Sequence, residues 1–215
     1  MGALLFPVGI PKTKRVFDLV LTIPGFVVIS PILGILGLLV RLRLGSPAIF
    51  RHRRPGLRGE VFTLYKFRTM TDAVGPDGRP LPDDERLTGL GRFMRATSLD
   101  ELPELVNVLR GEMSLVGPRP LLTAYLERYT PEQARRHEVL PGMTGWAQVN
   151  GRNAITWEQK FAYDVWYVDH WSLGLDVRIL ALTAYKALAR EGISQPGRAT
   201  ADEFMGSGEN GKKGA

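Results

Sequence analysis

The dominant feature of the hydrophobic pattern is one unbroken apolar run, Leu19 to Val40, "LVLTIPGFVVISPILGILGLLV", with no charged residue in it. As a straight helix it would be about 33 Å long, enough to cross a bilayer core of about 30 Å. It is long for the apolar core of a signal peptide, and no small-residue cleavage site stands out after it. Two features argue against a plain crossing. Lys12, Lys14 and Arg15 precede the run, and Arg41, Arg43, Arg51, Arg53 and Arg54 follow it. Both flanks thus carry the charge that marks the cytoplasmic side, and a spanning helix cannot place both there. Pro24 and Pro31 fall inside the run, and each removes an intrahelical hydrogen bond and bends the axis. The pattern predicts a kinked, re-entrant helix that dips into one leaflet and returns, with the Ser30 hydroxyl capping a carbonyl freed by Pro31. A kinked spanning helix is the alternative, since prolines are tolerated in such helices.

Beyond this segment the pattern is mixed. Residues 48–70 read as two short strands joined by a turn at Pro55-Gly56, with Val61 to Phe67 rich in β-formers. Thr71 to Arg86 reads as loop from its Gly, Pro and Asp content. Pro103 to Leu109 reads as a helix broken at Gly111, "LVGPRP" (115–120) as a turn, and 141–153 as a polar glycine loop. Leu121 to Leu140 reads as helical, interrupted near Thr130-Pro131. Trp157 to Trp171 and Asp176 to Arg190 are the last two helices, both amphipathic. Asp164 falls on the apolar stripe of the first, made by Trp157, Phe161, Val165 and Val168, so it needs a buried partner, a structural arginine or a substrate-site group. Trp157, Trp166, Tyr167 and Trp171 suit a membrane–water interface or a core. The fold class is α+β: mainly helical, with the re-entrant membrane helix, surface amphipathic helices and a small β element.

Composition narrows the chemistry. The chain has 215 residues and no cysteine, which excludes disulfides and thiolate chemistry. His52, His137 and His170 lie far apart in sequence, which argues against a zinc site or a Ser-His-Asp triad. The net charge of +6 suggests an anionic partner. Nucleic acid is disfavoured, because no helix-turn-helix, RNP or zinc signature accompanies the charge.

One acidic pair stands out, in "TSLDELPEL". Ser98 with Glu101 resembles a capping box, but a helix starting at Ser98 would put Pro103 at its fifth position, where the missing N–H breaks the ladder. A start between Asp100 and Leu102 leaves Pro103 in the first turn. Asp100 and Glu101 then sit at a helix N-terminus, where free N–H groups favour anions. Taken in isolation, a pair of this kind reads first as an ordinary helix cap with acidic first-turn residues. Arg92, Arg95 and Arg119 surround it in sequence, and Arg119 is held between two prolines, a rigid presentation for a bidentate phosphate donor.

Six motifs in order change that reading: "KRVFD" (14–18), "KFRTM" (66–70), "SLDELPEL" (98–105), "NVLRGEMSLVGPRP" (107–120), "PGMTGWAQVNGRN" (141–153) and "YDVWYV" (163–168). From about Lys14 to Ile193 the chain resembles the bacterial sugar transferases, the monotopic phosphoglycosyl transferases, in their small single-domain form. The resemblance implies transfer of a phospho-sugar from a UDP-sugar to undecaprenyl phosphate, giving undecaprenyl-diphospho-sugar and UMP, the first membrane step of glycan assembly. It implies Asp100 as covalent nucleophile, Glu101 beside it, and Mg²⁺ held by the pair. Lys66, Arg68, Arg95, Arg119 and Arg152 become candidates for substrate phosphate. It implies an N-terminal segment (1–45) in the inner membrane, its kink at Pro24, Ser30 and Pro31, then a catalytic domain on the cytoplasmic face (46–205) and a flexible tail (206–215). The stretch "EGISQPGRATADEFMG" (191–206) is similar to the tail of members that use di-N-acetylbacillosamine, which makes that or a related N-acetylated sugar the expected donor. Inner-membrane lipids are expected partners, and homodimerisation is left open. The competing reading is a non-catalytic membrane-anchored scaffold, which would not require Asp100 and Glu101 to lie in a charged pocket.

Overall fold

A computed structural model of the chain describes residues 5–151, 155–189 and 203–206. The apolar run is carried by a single helix, α1 (Lys12–Leu44), with Pro24 and Pro31 inside it. Ser30 Oγ donates to the Val27 carbonyl at 2.8 Å. That carbonyl lies four residues before Pro31 and has lost its usual N–H partner to the proline. The helix is buried at both ends and bare between them. Lys14, Arg15, Asp18 and Thr22 are buried, and then Leu36 and Val40, whereas Ile23, Val27, Val28, Ile32 and Ile35 are exposed. Only 11% of its most apolar stretch is buried, so α1 is not the core helix of a soluble domain.

The "KRVFD" motif is what fastens the first end. Lys14 Nζ donates to the Val116 carbonyl at 3.0 Å and to Asp176 Oδ2 at 2.7 Å. Tyr167 and Trp171 donate to the same aspartate. Asp18 accepts from Ser114 Oγ at 3.0 Å and from the Leu115 amide at 3.2 Å. Charges this deeply buried are retained only when paired, so the motif fixes where α1 leaves the domain. The second end is apolar: Leu36 and Val40 pack with Phe67 and Met94.

Strands β1 (Ile49–Pro55) and β2 (Val61–Phe67) form the expected antiparallel hairpin, Ile49 opposite Phe67 and Pro55 opposite Val61. The connection is one 3₁₀ turn, Leu57–Gly59. Helices α2 (Asp83–Arg86) and α3 (Gly89–Ala96) follow, neither of them expected: α2 closes the stretch Thr71 to Arg86 that reads as loop, its acidic residues Asp83, Asp84 and Glu85 in the first turn. Thr88 caps α3 through the Gly91 amide, and Gly91 packs so closely on Thr69 that a Cβ would lie 2.0 Å from its carbonyl oxygen. Helix α4 (Glu104–Arg110) lies on β2. Its buried Asn107 accepts from the Tyr65 amide at 3.2 Å and donates to the Thr63 carbonyl at 2.7 Å, mimicking a strand partner.

The turn at 115–120 and the loop at 141–153 hide a second, parallel pair. Strand β3 (Ser114–Val116) pairs with β4 (Gly142–Thr144). The backbones touch at Gly117 and Gly142, where a Cβ would sit 2.3 Å from the Leu140 oxygen and 2.1 Å from the Gly117 nitrogen respectively. No side chain fits either place. Leu121 to Leu140 is not the expected helix. It is a 3₁₀ stretch (Thr123–Arg128), α5 (Pro131–Ala134) and a 3₁₀ turn (Arg135–His137), with Tyr129 extended between the first two. The cause is the Thr130–Gln133 capping box with Pro131 at its first position, which restarts the chain in a new direction. After the short α6 (Trp146–Val149), the predicted α7 (Trp157–His170) and α8 (Leu173–Ala189) are present.

Of the two roles considered for the aromatics, core packing accounts for three: Tyr167 is buried against Asp176, half-buried Trp171 bonds the same carboxylate, and half-buried Trp157 sits in an aromatic cluster. Of the four, Trp166 is the exposed one. The partner of Asp164 is Arg136, by two bonds of 3.0 and 2.7 Å to Oδ2. Of the tail expected from residue 206, Gly206 alone is among the described residues.

Candidate active site

The acidic pair opens the site. Ser98 caps nothing with its side chain and adopts a left-handed φ of 56°, which turns the chain ahead of a single 3₁₀ turn, Leu99–Glu101. Pro103 is then the N-cap of α4. The helix therefore starts later than the sequence predicts, and the pair occupies the 3₁₀ turn before it. The proline explains the break: it cannot donate within a helix that would begin at Ser98.

The two neighbouring carboxylates have different surroundings. Glu101 is gripped by cations. Lys66 Nζ lies 2.5 Å from its Oε1, and Arg119 spans both oxygens, contacting Oε1 and reaching Oε2 at 3.3 Å. Burial alone would raise the Glu101 carboxyl, but Arg119 and Lys66 outweigh it and hold the group well below the usual carboxylate range. Asp100, 8% exposed, accepts no hydrogen bond among the described residues. Burial first, then the adjacent Glu101 charge, push its carboxyl up to about 6, against the pull of Lys66, Arg95 and Arg119. One carboxylate stays ionised in an ion pair; the other accepts no hydrogen bond among the described residues.

Glu104 was missed by sequence reading. It is 2% exposed and accepts from the same Lys66 ammonium at 3.1 Å. Burial and then Glu101 push its carboxyl upward. Its spacing, three residues after Glu101, was the available signal, since that interval brings side chains to one side of a helical turn. Two cations, Lys66 and Arg119, thus hold two carboxylates, Glu101 and Glu104, beside Asp100, which is unpaired among the described residues.

Lys66 comes from β2, and the Asn107 bonds hold β2 against α4, so the motifs "KFRTM" and "SLDELPEL" meet by design of the fold. Arg119 is fixed from behind, because Arg136 donates to its carbonyl at 2.7 Å while paired with Asp164. Arg95 is held by Thr69 Oγ1 at 3.1 Å, close enough to act on Asp100. Arg68 is not brought into the cluster by any hydrogen bond. It bonds Asp72 at 2.5 Å and the Met70 and Ser46 carbonyls instead. Arg152 lies outside the described residues.

A cleft of about 230 Å³ opens beside the cluster. Its cationic lining is Arg54, Lys66 and Arg119, its acidic member Glu104, and Tyr125 and Trp157 supply aromatic rings. Arg54 and the two rings were not singled out for this role, because nothing local in sequence marks them. Three cations facing one opening, with flat rings beside them, suit an anionic ligand with an aromatic portion.

The profile of the family described as "Bacterial sugar transferase" matches residues 11–190. The chain belongs to that family. It is 58% identical over 196 residues to the uncharacterized sugar transferase EpsL of Bacillus subtilis, covering 91% of this chain and 97% of that one. It is 43% identical over 196 residues to the undecaprenyl-phosphate galactose phosphotransferase of Salmonella typhimurium, covering 83% of this chain but 41% of the larger protein. A UDP-glucose:undecaprenyl-phosphate glucose-1-phosphate transferase of Caulobacter vibrioides is 40% identical over 200 residues, with 88% and 75% covered. Membership in this family of sugar transferases makes the charged cluster a candidate active site, and the scaffold reading loses its ground.

Proposed function

We propose that this sugar transferase moves a phospho-sugar from a UDP-sugar to undecaprenyl phosphate through a covalent intermediate on Asp100. The carrying observation is the contrast within the pair: Glu101 is tied to Arg119 and Lys66, whereas Asp100 is buried, unbonded and flanked by cations. An Asp100 oxygen attacks the phosphorus attached to the sugar; the bond from that phosphorus to the bridging oxygen breaks, and UMP leaves with that oxygen. An oxygen of the lipid phosphate then attacks the same phosphorus and releases the Asp100 carboxylate. Arg119 and Lys66 offset charge that develops at the phosphoryl oxygens. The names of the relatives support the two substrates, and the short tail match favours an N-acetylated sugar such as di-N-acetylbacillosamine as the one carried.

The donor set fits Mg²⁺ in one way. Among the described residues there is no cluster of three ligating side chains, and Glu101 is already satisfied. Asp100 with the substrate's own phosphate oxygens makes the kind of set this ion takes, one or two carboxylates plus phosphates. Bound there, the ion neutralises diphosphate charge.

Membrane docking follows from α1. Its apolar middle is uncovered while both ends are held by the same domain, which supports a helix that enters one leaflet and returns to the cytoplasmic face of the inner membrane. The Ser30–Val27 bond supports a bend at Pro31. Cysteines placed at Lys12 and Arg43 are expected to react from the same side of sealed vesicles; labelling from opposite sides means a spanning helix.

The reaction is tested by incubating the protein with UDP-sugars and following UMP. The pH dependence is an added check. The nucleophile works ionised, so kcat/KM is expected to be flat above about pH 7 and to fall roughly tenfold per unit below about 6. A profile flat down to pH 4.5 contradicts the assignment of Asp100.

A further inference from the structure

The segment that ends the described chain returns to the site from far away in sequence. Phe204 is 2% exposed. Four rings surround it: Phe161, Tyr125, Trp157 and Tyr129, with centroids 4.9, 5.6, 5.7 and 6.0 Å away. The backbone is fastened as firmly as the ring. The Phe204 amide donates to Tyr125 Oη at 3.1 Å. Arg128 donates to the Phe204 carbonyl at 2.5 Å and to Glu203 Oε1 at 2.9 Å, and its guanidinium lies 5.4 Å from the centre of the Tyr125 ring. Two of the four rings, Tyr125 and Trp157, line the cleft together with Arg54, Lys66 and Arg119.

A ring packed edge-on against two others restrains their tilt as well as their position, because edge-to-face contacts prefer defined angles. Tyr125 stands nearly perpendicular both to Phe204, at 74°, and to Trp157, at 85°. Its hydroxyl is also fixed by the Phe204 amide. Without Phe204 both rings lose a packing partner that is not itself part of the cleft lining, and the space left does not collapse fully.

We propose that Glu203–Met205 is a brace for the donor site, and that Phe204 is a positioning residue that holds Tyr125 and Trp157 as the wall for the uridine end of the nucleotide-sugar. The inference rests on the donor-site reading given above. The cations at the opening take the diphosphate, and a flat aromatic wall beside them takes the base by stacking, the interaction that depends most on ring orientation. Asp100 and Glu101 are not among the residues that line the cleft, and no hydrogen bond, ion pair or ring contact joins them to the brace among the described residues. Phe204 therefore acts on binding and leaves the chemical step alone.

The test uses the full-length protein and UMP as the probe, with a productive UDP-sugar for kinetics. Phe204→Ala is expected to raise KM for the donor and to weaken UMP binding, each about five- to tenfold, with kcat within about twofold. Phe204→Leu, which keeps apolar volume but not ring geometry, is expected to show about two- to threefold. Tyr125→Phe, which keeps the wall ring and removes the acceptor for the Phe204 amide, is expected to fall in the same direction. These last two carry the test if Phe204→Ala does not fold. Unchanged UMP affinity and KM in folded variants, or a loss confined to kcat, overturns the brace while leaving the transferase reading intact. Absence of UMP release by the unaltered protein with every UDP-sugar overturns both.

Discussion

Asp100→Asn is expected to lower UMP release by about a thousandfold or more, and to raise the melting temperature by a few degrees at pH 8. The kinetic loss follows from removing the proposed phosphoryl carrier, which among the described residues is buried and accepts no hydrogen bond. Asparagine keeps the shape and loses the nucleophile. The stability gain follows from the same geometry. Burial and the Glu101 charge raise the Asp100 carboxyl to about 6 in the folded protein, from about 4 when unfolded. Below about pH 4 both states are protonated, and the residue costs nothing. Between there and 6 the folded state keeps a proton that the unfolded state has lost, so stability falls as pH rises through this window. Above 6 the whole cost is present. The variant lacks it, so its advantage in thermal melting should be full at pH 8 and absent near pH 4. A residue serving only as a helix cap would show the reverse, a loss of stability on substitution.

Arg119→Ala is expected to lower kcat/KM by about a hundredfold to a thousandfold, and to move the acid limb of the pH profile above 6. Arg119 has two jobs. It lines the cleft, where it is proposed to receive the donor phosphate. It also clamps both oxygens of Glu101. With it gone, Glu101 keeps only Lys66 among the described residues, and Glu104 already shares that ammonium. The uncompensated negative charge beside Asp100 makes ionisation of the nucleophile harder, so its carboxyl rises further. Arg119→Lys returns the charge without the planar fork, so it should restore the pH limb more fully than the rate. Rates as a function of pH for the three proteins separate the two contributions. An acid limb that stays put in Arg119→Ala would show that Glu101 is not what sets the Asp100 environment.

The parts legible in the sequence are those whose signals are local. The hairpin of β1 and β2 shows in its β-formers and its Pro-Gly turn, and α7 and α8 show in their periodicity. The acidic pair was found because Pro103 displaced the helix start, although the structure moves that start later still. What stayed hidden depends on distant partners. The parallel pairing of β3 with β4 joins segments that read separately as turn and loop, and the clue was the glycines whose backbones touch. Leu121 to Leu140 has helical composition, but the Thr130–Gln133 capping box with Pro131 restarts the chain, and Tyr125 and Tyr129 pack in a ring cluster with Phe204 that no local signal announces. Glu104 has no separate signature, because its role comes from Lys66 on another element. Arg68, next to Lys66 in the same motif, points to Asp72 instead. Neighbours in a motif can thus serve different ends, and only the tertiary contacts separate them.

The central claim is the covalent phospho-sugar on Asp100, and intact-mass measurement tests it most directly. Protein incubated with a productive UDP-sugar and Mg²⁺, without lipid acceptor, then quenched, should gain the mass of one phospho-sugar and release one UMP. Undecaprenyl phosphate should remove the added mass, and Asp100→Asn should never acquire it. Turnover that requires donor and lipid together and never shows an adduct, or an adduct that persists in Asp100→Asn, would contradict the account.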